Sequence, residues 1–296
     1  MRLISQVNMG NLTANVKIPA GNYKEFVLHF PGTNGATAVT AADLGSIRLT
    51  YQGRQVQFVS FDRLQSINNM KGGAVLFNST ASGSLEAVAF LPQAIPGDLL
   101  NVLHVSNSDN AYLELNYSQA GGLVSSGTLT VYGVERDGIQ KYFYLLNNYD
   151  VSIGSGIYRE RMPFENVFEL FIENDSYLDR IHIFKDGDTV VDASKTALQA
   201  ETNFENKIET YSSSVDYIDV VLAKTKQLDE SLSDEVSVEY STSGATTLNN
   251  VVASIDFSPE QMITSEVYRS TKVNQRLQRK TVSGKTRPAR VIITKE

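Results

Sequence analysis

The sequence predicts an all-β protein of two tandem eight-stranded jelly rolls, with short helices and a basic C-terminal extension. Three observations lead there. The first is an internal duplication: Leu44–Gln65 aligns without a gap on Leu178–Gln199. Seven positions are identical, namely Leu44/Leu178, Ile47/Ile181, Gly53/Gly187, Val56/Val190, Ser60/Ser194, Leu64/Leu198 and Gln65/Gln199, where average composition gives about one. The flanks continue in the same order. Glu25–Leu28 matches Glu169–Ile172, Leu85–Val88 matches Val215–Ile218, and Leu113–Ser118 matches Val236–Ser241. The second observation is a domain-sized period, which means two globular copies and not a solenoid. The third is the pattern of many short strands, long uneven connections and one helical segment per copy. That pattern suits a jelly roll better than an up-and-down barrel.

The first copy opens with a strand over Glu25–Phe30. In Ile47–Tyr51 apolar and polar side chains alternate, Gln52-Gly53 turns the chain, and Val56–Phe58 resumes the alternation. This is a hairpin with one face on a core. Ser60 is placed to cap a helix over Phe61–Asn69. Strands over Ala87–Leu91, Tyr112–Tyr117 and Thr128–Val134 complete the copy, separated by turn clusters such as Gly32–Gly35, Gly72-Gly73 and Gly121-Gly122. In the second copy strands are expected over Val167–Ile172, Tyr217–Leu222 and Val236–Tyr240. Asp186-Gly187 takes the hairpin turn, and Asp192 or Ser194 caps a helix over Lys195–Glu201. The expected domains are 1–139, 140–248 and a helical, basic extension over 249–296. There Ser258-Pro259-Glu260-Gln261 marks the start of a helix running towards Lys280. Ser283–Pro288 reads as loose, and Val291-Ile292-Ile293 as a short strand or anchor.

Composition narrows the functions. A chain of 296 residues with 42% apolar side chains fills two cores. No apolar run approaches the length of a spanning helix, and the N-terminus shows no secretory h-region. With no cysteine, thiol catalysis, disulfides and thiolate metal sites drop out together. A cytoplasmic folding compartment is expected, and the Asn-x-Ser/Thr triplets at Asn11, Asn78, Asn116 and Asn174 read as coincidental. The net charge of -7 is uneven: residues 266–296 hold nine of the 26 basic groups and only Glu266 and Glu296 as acids. An acidic body with a basic tail points to a partner for the tail. The tail residues are Arg269, Lys272, Arg276, Arg279, Lys280, Lys285, Arg287, Arg290 and Lys295. Little aromatic interleaving accompanies them, so a base-stacking single-strand binder is not indicated.

No residue qualifies as catalytic. His29, His104 and His182 lie in different segments, and His29 and His182 sit inside expected strands as structural side chains. No His-x-His pair or Gly-x-Ser-x-Gly elbow occurs. Gly284-Lys285-Thr286 imitates the end of a phosphate loop, but Arg279 stands where the first glycine belongs. Glu169/Glu173 and Asp216/Asp219 read as solvated strand faces, not an acid–base pair. No cofactor is expected. Asp186 and Asp188, with Asp192 nearby, form a weak calcium candidate against the plainer reading of a solvated turn.

Several short segments resemble the double jelly-roll major capsid proteins of tailless icosahedral phages, in the compact form of the membrane-containing corticovirus type. They are Lys17–Gly21 and Ile47–Arg54 in the first copy, and Tyr142–Asn148, Phe184–Gly187 and Val238–Tyr240 in the second. The likeness covers roughly residues 15–241, and a related membrane-containing lineage with single-stranded DNA fits equally. The resemblance implies pseudo-hexameric homotrimers that tile an icosahedral shell assembled in a host cytoplasm. Its implied partners are the chain itself, neighbouring capsomers, minor capsid and vertex proteins, and an internal viral membrane met by the tail, without sequence-specific nucleic acid. The alternative is a two-domain β-sandwich phage protein that binds carbohydrate or a receptor. It predicts exposed aromatic platforms, whereas tryptophan is absent and the 14 tyrosines are dispersed.

Overall fold

The computed structural model describes residues 1–8, 13–72, 76–116, 128–206, 216–222 and 235–257. The first roll comprises β1 (Arg2–Asn8), β2 (Thr13–Lys17), β3 (Gly21–Thr33), β4 (Ser46–Tyr51), β5 (Arg54–Ser60), α1 (Phe61–Met70), β6 (Phe77–Ser79), β7 (Ser84–Pro92), β8 (Leu103–Val105), β9 (Ala111–Asn116) and β10 (Thr128–Glu135). The second comprises β11 (Tyr142–Ile153), β12 (Gly156–Arg161), β13 (Val167–Glu173), β14 (Leu178–Lys185), β15 (Asp188–Ser194), α2 (Lys195–Glu205), β16 (Tyr217–Val221), β17 (Val236–Thr242) and β18 (Thr246–Phe257).

Both copies have the same strand order. In the first, one sheet runs β1-β10-β3-β7 and the facing sheet β2-β9-β4-β5, with β6 and β8 as additions. The second repeats this as β11-β18-β13-β16 and β12-β17-β14-β15. These are two eight-stranded jelly rolls. Each core lies between its sheets. Phe26, Leu28, Phe30, Ile47 and Leu49 are fully buried in the first, while Leu170, Ile172, Ile181, Ile183 and Val238 pack together in the second.

The duplicated hairpins agree in backbone detail. Gln52 and Asp186 both have φ of 50°, followed by Gly53 at 79° and Gly187 at 89°. Two successive left-handed residues make the tight turn that fits the right-handed strand twist, which is why glycine stands second. The ladder register shifts between Leu49 and Thr50 in one hairpin and between Ile183 and Phe184 in the other. Those are matching positions, so even the bulge is shared.

Three expectations need correction. Leu113 and Leu115 pair with Leu49 and Ile47, and their structural counterparts opposite Ile183 and Ile181 are Val238 and Tyr240. The aligned Leu113–Ser118 and Val236–Ser241 blocks are therefore two residues out of register, a slip that keeps every side chain on its face. The Leu85–Val88 and Val215–Ile218 blocks are one residue out, since Ala89 opposes Leu28 as Ile218 opposes Ile172. The domain boundary at 248 falls inside β18, a 12-residue strand that pairs with β13, so the second roll extends to 257. The two rolls also share a sheet. β11 runs parallel to β5, with Asn147 opposite Phe58, and joins one sheet from each roll into a single sheet of eight strands. The helix expected from Pro259 and the Val291-Ile292-Ile293 segment lie outside the described residues.

Candidate assembly interface

The join between the rolls begins at the β5–β11 seam. Gln57 is completely buried in β5. Its Nε2 donates to the carbonyls of Pro92 and Tyr144 at 2.9 Å, and its Oε1 accepts from Gln93 at 3.1 Å. Asn101 holds the incoming chain: its Oδ1 accepts the amides of Lys141 and Tyr142, and its Nδ2 donates to the Gln93 carbonyl. Buried amides with their bonding capacity used in this way fix one register without adding charge. The Tyr51 and Phe143 rings meet across the seam, tilted by 53° with their centroids 5.3 Å apart.

From there α1 lies against the outer face of the second roll, and its contacts are charged. Arg63 reaches Asp150 at 2.5 Å, the Asn250 carbonyl at 3.2 Å and Asn249 Oδ1 at 3.1 Å. Ser66 donates to Asp216 at 2.6 Å. At the end of the helix, Lys71 Nζ sits 2.5 Å from both Glu169 and Asp219, over the Phe171 ring. The two carboxylates are almost fully enclosed. Burial, reinforced by the neighbouring Asp219 charge and opposed by Lys71, raises the Glu169 carboxyl well above its ordinary range. The Lys71 ammonium is raised because the two carboxylates outweigh its own burial. Arg54 and Asp256 add another ion pair between the rolls.

Glu169 and Asp219, expected on solvated strand faces, are both buried. β13 and β16 carry the core on one side and the other roll or α2 on the other, so their period-2 signal vanishes. The remaining clue was a lone carboxylate in each of two apolar runs, Val167–Ile172 and Tyr217–Val221.

α2 occupies the corresponding place in the second roll, yet among the described residues nothing covers its outward side. Ala197, Ala200, Glu201 and Phe204 stand where α1 has Arg63, Ser66, Ile67 and Met70, and all four are exposed. Met70 is 7% exposed and Phe204 82%. On the preceding strand Val56 is 3% exposed and the identical Val190 46%. Val221, beside them, is also open. Val190 and Val221 line a cleft of about 620 Å³ that Lys71, Glu169 and Asp219 also border.

The other expected sites are dispersed. His29 bonds Glu86 at 2.8 Å, His104 bonds Asn22 at 2.7 Å, and His182 meets Thr189 at 3.2 Å. Asp186 Oδ1 accepts the Glu235 amide, and Arg180 engages Asp192. Among the described residues no group of three or more His, Asp or Glu side chains is arranged to hold a metal ion, so Asp186 and Asp188 gain no further ligand of that kind. The basic tail from Arg269 to Lys295 lies outside the described residues.

No family model and no curated protein sequence matches the chain. Solved structures do. The major capsid protein of bacteriophage PM2 superposes with a TM-score of 0.60 at 12% identity, covering 87% of this chain and 96% of that one. A chain from Sulfolobus Turreted Icosahedral Virus gives 0.64 at 12% identity, with coverage of 88% and 92%. VP54 of PBCV-1, fitted into a reconstruction of the virophage Sputnik, gives 0.53 at 11%, with coverage of 86% and 92%. This chain therefore has the double jelly-roll fold found in those capsid proteins.

Proposed function

We propose that the chain is a major capsid protein of a virion, whose copies associate into pseudo-hexameric homotrimers that tile an icosahedral shell. The observation that carries the reading is the bare second copy of a helix whose first copy is clasped within the chain. Two like rolls in one chain present like surfaces, and only one of each pair is covered. Closed three-fold symmetry covers the rest while placing six similar rolls around an axis. Burying Phe204, Val190 and Val221 adds roughly 1.5–3 kcal/mol for each side chain fully withdrawn from water. In this reading the chain is a structural protein and not an enzyme, it assembles in the host cytoplasm, and its partners are its own copies, neighbouring capsomers and minor vertex proteins.

The fold in PM2 capsids and the basic tail together support contact of residues 269–295 with the shell interior, at an anionic internal membrane or a neighbouring subunit. A lipid contact contributes about 1 kcal/mol per basic side chain and weakens with salt.

Light scattering and negative-stain microscopy of the purified chain test the reading. Hexagonal trimers burying well over ~1,000 Å² per contact are expected. A persistent monomer with measurable glycan affinity would overturn it in favour of a carbohydrate-binding protein. Truncation after residue 268 should leave folded trimers and reduce particle yield, and normal yields would remove the tail's role.

A further inference from the structure

We propose that β1 of one copy adds, in parallel, to the open edge of β15 in a second copy, carrying a β-sheet across the subunit boundary. This rests on the shell reading above and names a contact which that reading does not require.

The duplication shows the contact already made once. Within the chain, the first strand of the second roll, β11, lies parallel to β5 of the first, with Asn147 opposite Phe58. The counterpart of β11 is β1, the first strand of its own roll, which ends its sheet next to β10 as β11 ends the second roll's half of the joined sheet next to β18. The counterpart of β5 is β15, residue for residue through the duplicated hairpin, so Asp192 takes the place of Phe58. Among the described residues, no strand lies beyond β1 or beyond β15.

Burial follows the same division. Val56, Gln57 and Val59 of β5 are buried beneath the join, whereas Asp188, Thr189, Val190, Asp192 and Ser194 of β15 are exposed. In β1, Arg2, Leu3 and Gln6 are exposed. An open strand edge presents a row of amide and carbonyl groups that pairs readily with another strand. Each strand is seven residues long, and neither contains proline, the residue that most directly blocks such pairing. A parallel alignment also sets Arg2, paired with Glu135 in its own chain, at the same end of the join as Asp188 at the start of β15. In a trimer, every boundary between rolls, within or between chains, then becomes the same parallel join.

The absence of cysteine makes a cross-linking test clean. Asp192→Cys is mixed with Leu3→Cys, Ile4→Cys, Ser5→Cys, Gln6→Cys or Val7→Cys in turn, and the assembled protein is oxidised with copper phenanthroline. Neighbouring strands lie about 4.8 Å apart, within the reach of a disulfide. The Phe58→Cys/Asn147→Cys chain serves as the intrachain positive control, and Ile157→Cys on the opposite edge strand as the negative partner. The expected result is a covalent dimer for at least one β1 position and none with Ile157→Cys. Hydrogen exchange at residues 188–194 should also slow at least tenfold on assembly. Trimers that give neither the cross-link nor the slowing would overturn the strand join and leave the shell reading standing. A chain that never oligomerises would overturn both.

Discussion

α1 and α2 are the same helix placed twice, and they differ in what lies against them. α1 meets the second roll through Arg63, Ser66 and Lys71. α2 presents Ala197, Ala200 and Phe204 to open space. The difference shows how one chain divides two kinds of contact. The intrachain join is made permanently during folding and tolerates buried charge, because its partners are always present. In the assembly proposed above, a surface that must remain soluble until a second copy arrives carries a few apolar side chains beside Glu201 and Glu205. Burying Lys71 between two carboxylates gains less than apolar packing would, yet it makes the join specific, since the wrong partner leaves charges unpaired.

The largest expected effect comes from separating the helices at their last turn. Lys71→Ala leaves two enclosed carboxylates without their cation and should cost about 3 kcal/mol in urea denaturation. Glu205→Ala, the matching change at the last residue of α2, should stay within about 0.5 kcal/mol. Equal costs would mean that the clasp adds nothing to the first roll. Next in size, Met70→Ala should destabilise the folded chain by about 2 kcal/mol through the space it leaves. Phe204→Ala should leave the isolated chain unchanged and weaken trimers by tenfold or more, read by light scattering across a dilution series. Phe204→Ala that unfolds the monomer would place that ring in a core and remove its contrast with Met70.

A smaller effect is a pH dependence confined to the clasp. The Glu169 carboxyl is raised in the folded chain, towards about 8, so the folded state holds its proton more tightly than the unfolded state does. That contribution is fully present below the ordinary carboxylate value and is lost as pH rises through the folded value. Urea midpoints should therefore fall steadily as pH rises from 5 to 9. Glu169→Gln, which imitates the protonated side chain, should flatten the profile. An unchanged slope in that variant would assign the dependence elsewhere.

The same contrast explains what the sequence revealed. The hairpin of β4 and β5 and that of β14 and β15 were legible down to their turn glycines, because each hairpin is stabilised locally and alternates cleanly. β16 misled the alignment by one residue, since four successive side chains from Tyr217 to Val220 are buried and no face is marked. β18 was missed because Asn249 and Asn250 interrupt its apolar pattern. Asn250 is buried and bonds the Glu173 amide and Tyr240 hydroxyl, while Asn249 bonds the Glu173 carboxylate. Those partners lie on other strands and leave no local signature. The Lys71 clasp was illegible for the same reason, because its groups come from positions about 100 and 150 residues apart in the chain. The bare α2 face could be recognised only after its covered twin was known.

The smallest expected effect concerns the helix starts, where the two copies share a serine but not its use. Ser194 Oγ accepts from the Ala197 amide at 3.3 Å, satisfying one of the orphan donors of the first turn. Ser60 makes no such cap bond. Its backbone amide instead donates to Asn148 Oδ1 of β11 at 3.2 Å, so the seam between rolls draws the residue into the join while its hydroxyl stays buried and, among the described residues, without a partner. Ser194→Ala should then cost about 1 kcal/mol, as cap removal commonly does. Ser60→Ala should cost close to nothing or stabilise slightly, because it removes a buried hydroxyl that bonds to nothing. Asn148→Ala separates the two explanations. If the seam has displaced the cap, releasing the Ser60 amide should let its hydroxyl return to the helix, and Ser60→Ala made in that background should acquire a measurable cost. A Ser60→Ala change that is neutral in both backgrounds would show that α1 is fixed by its packing alone.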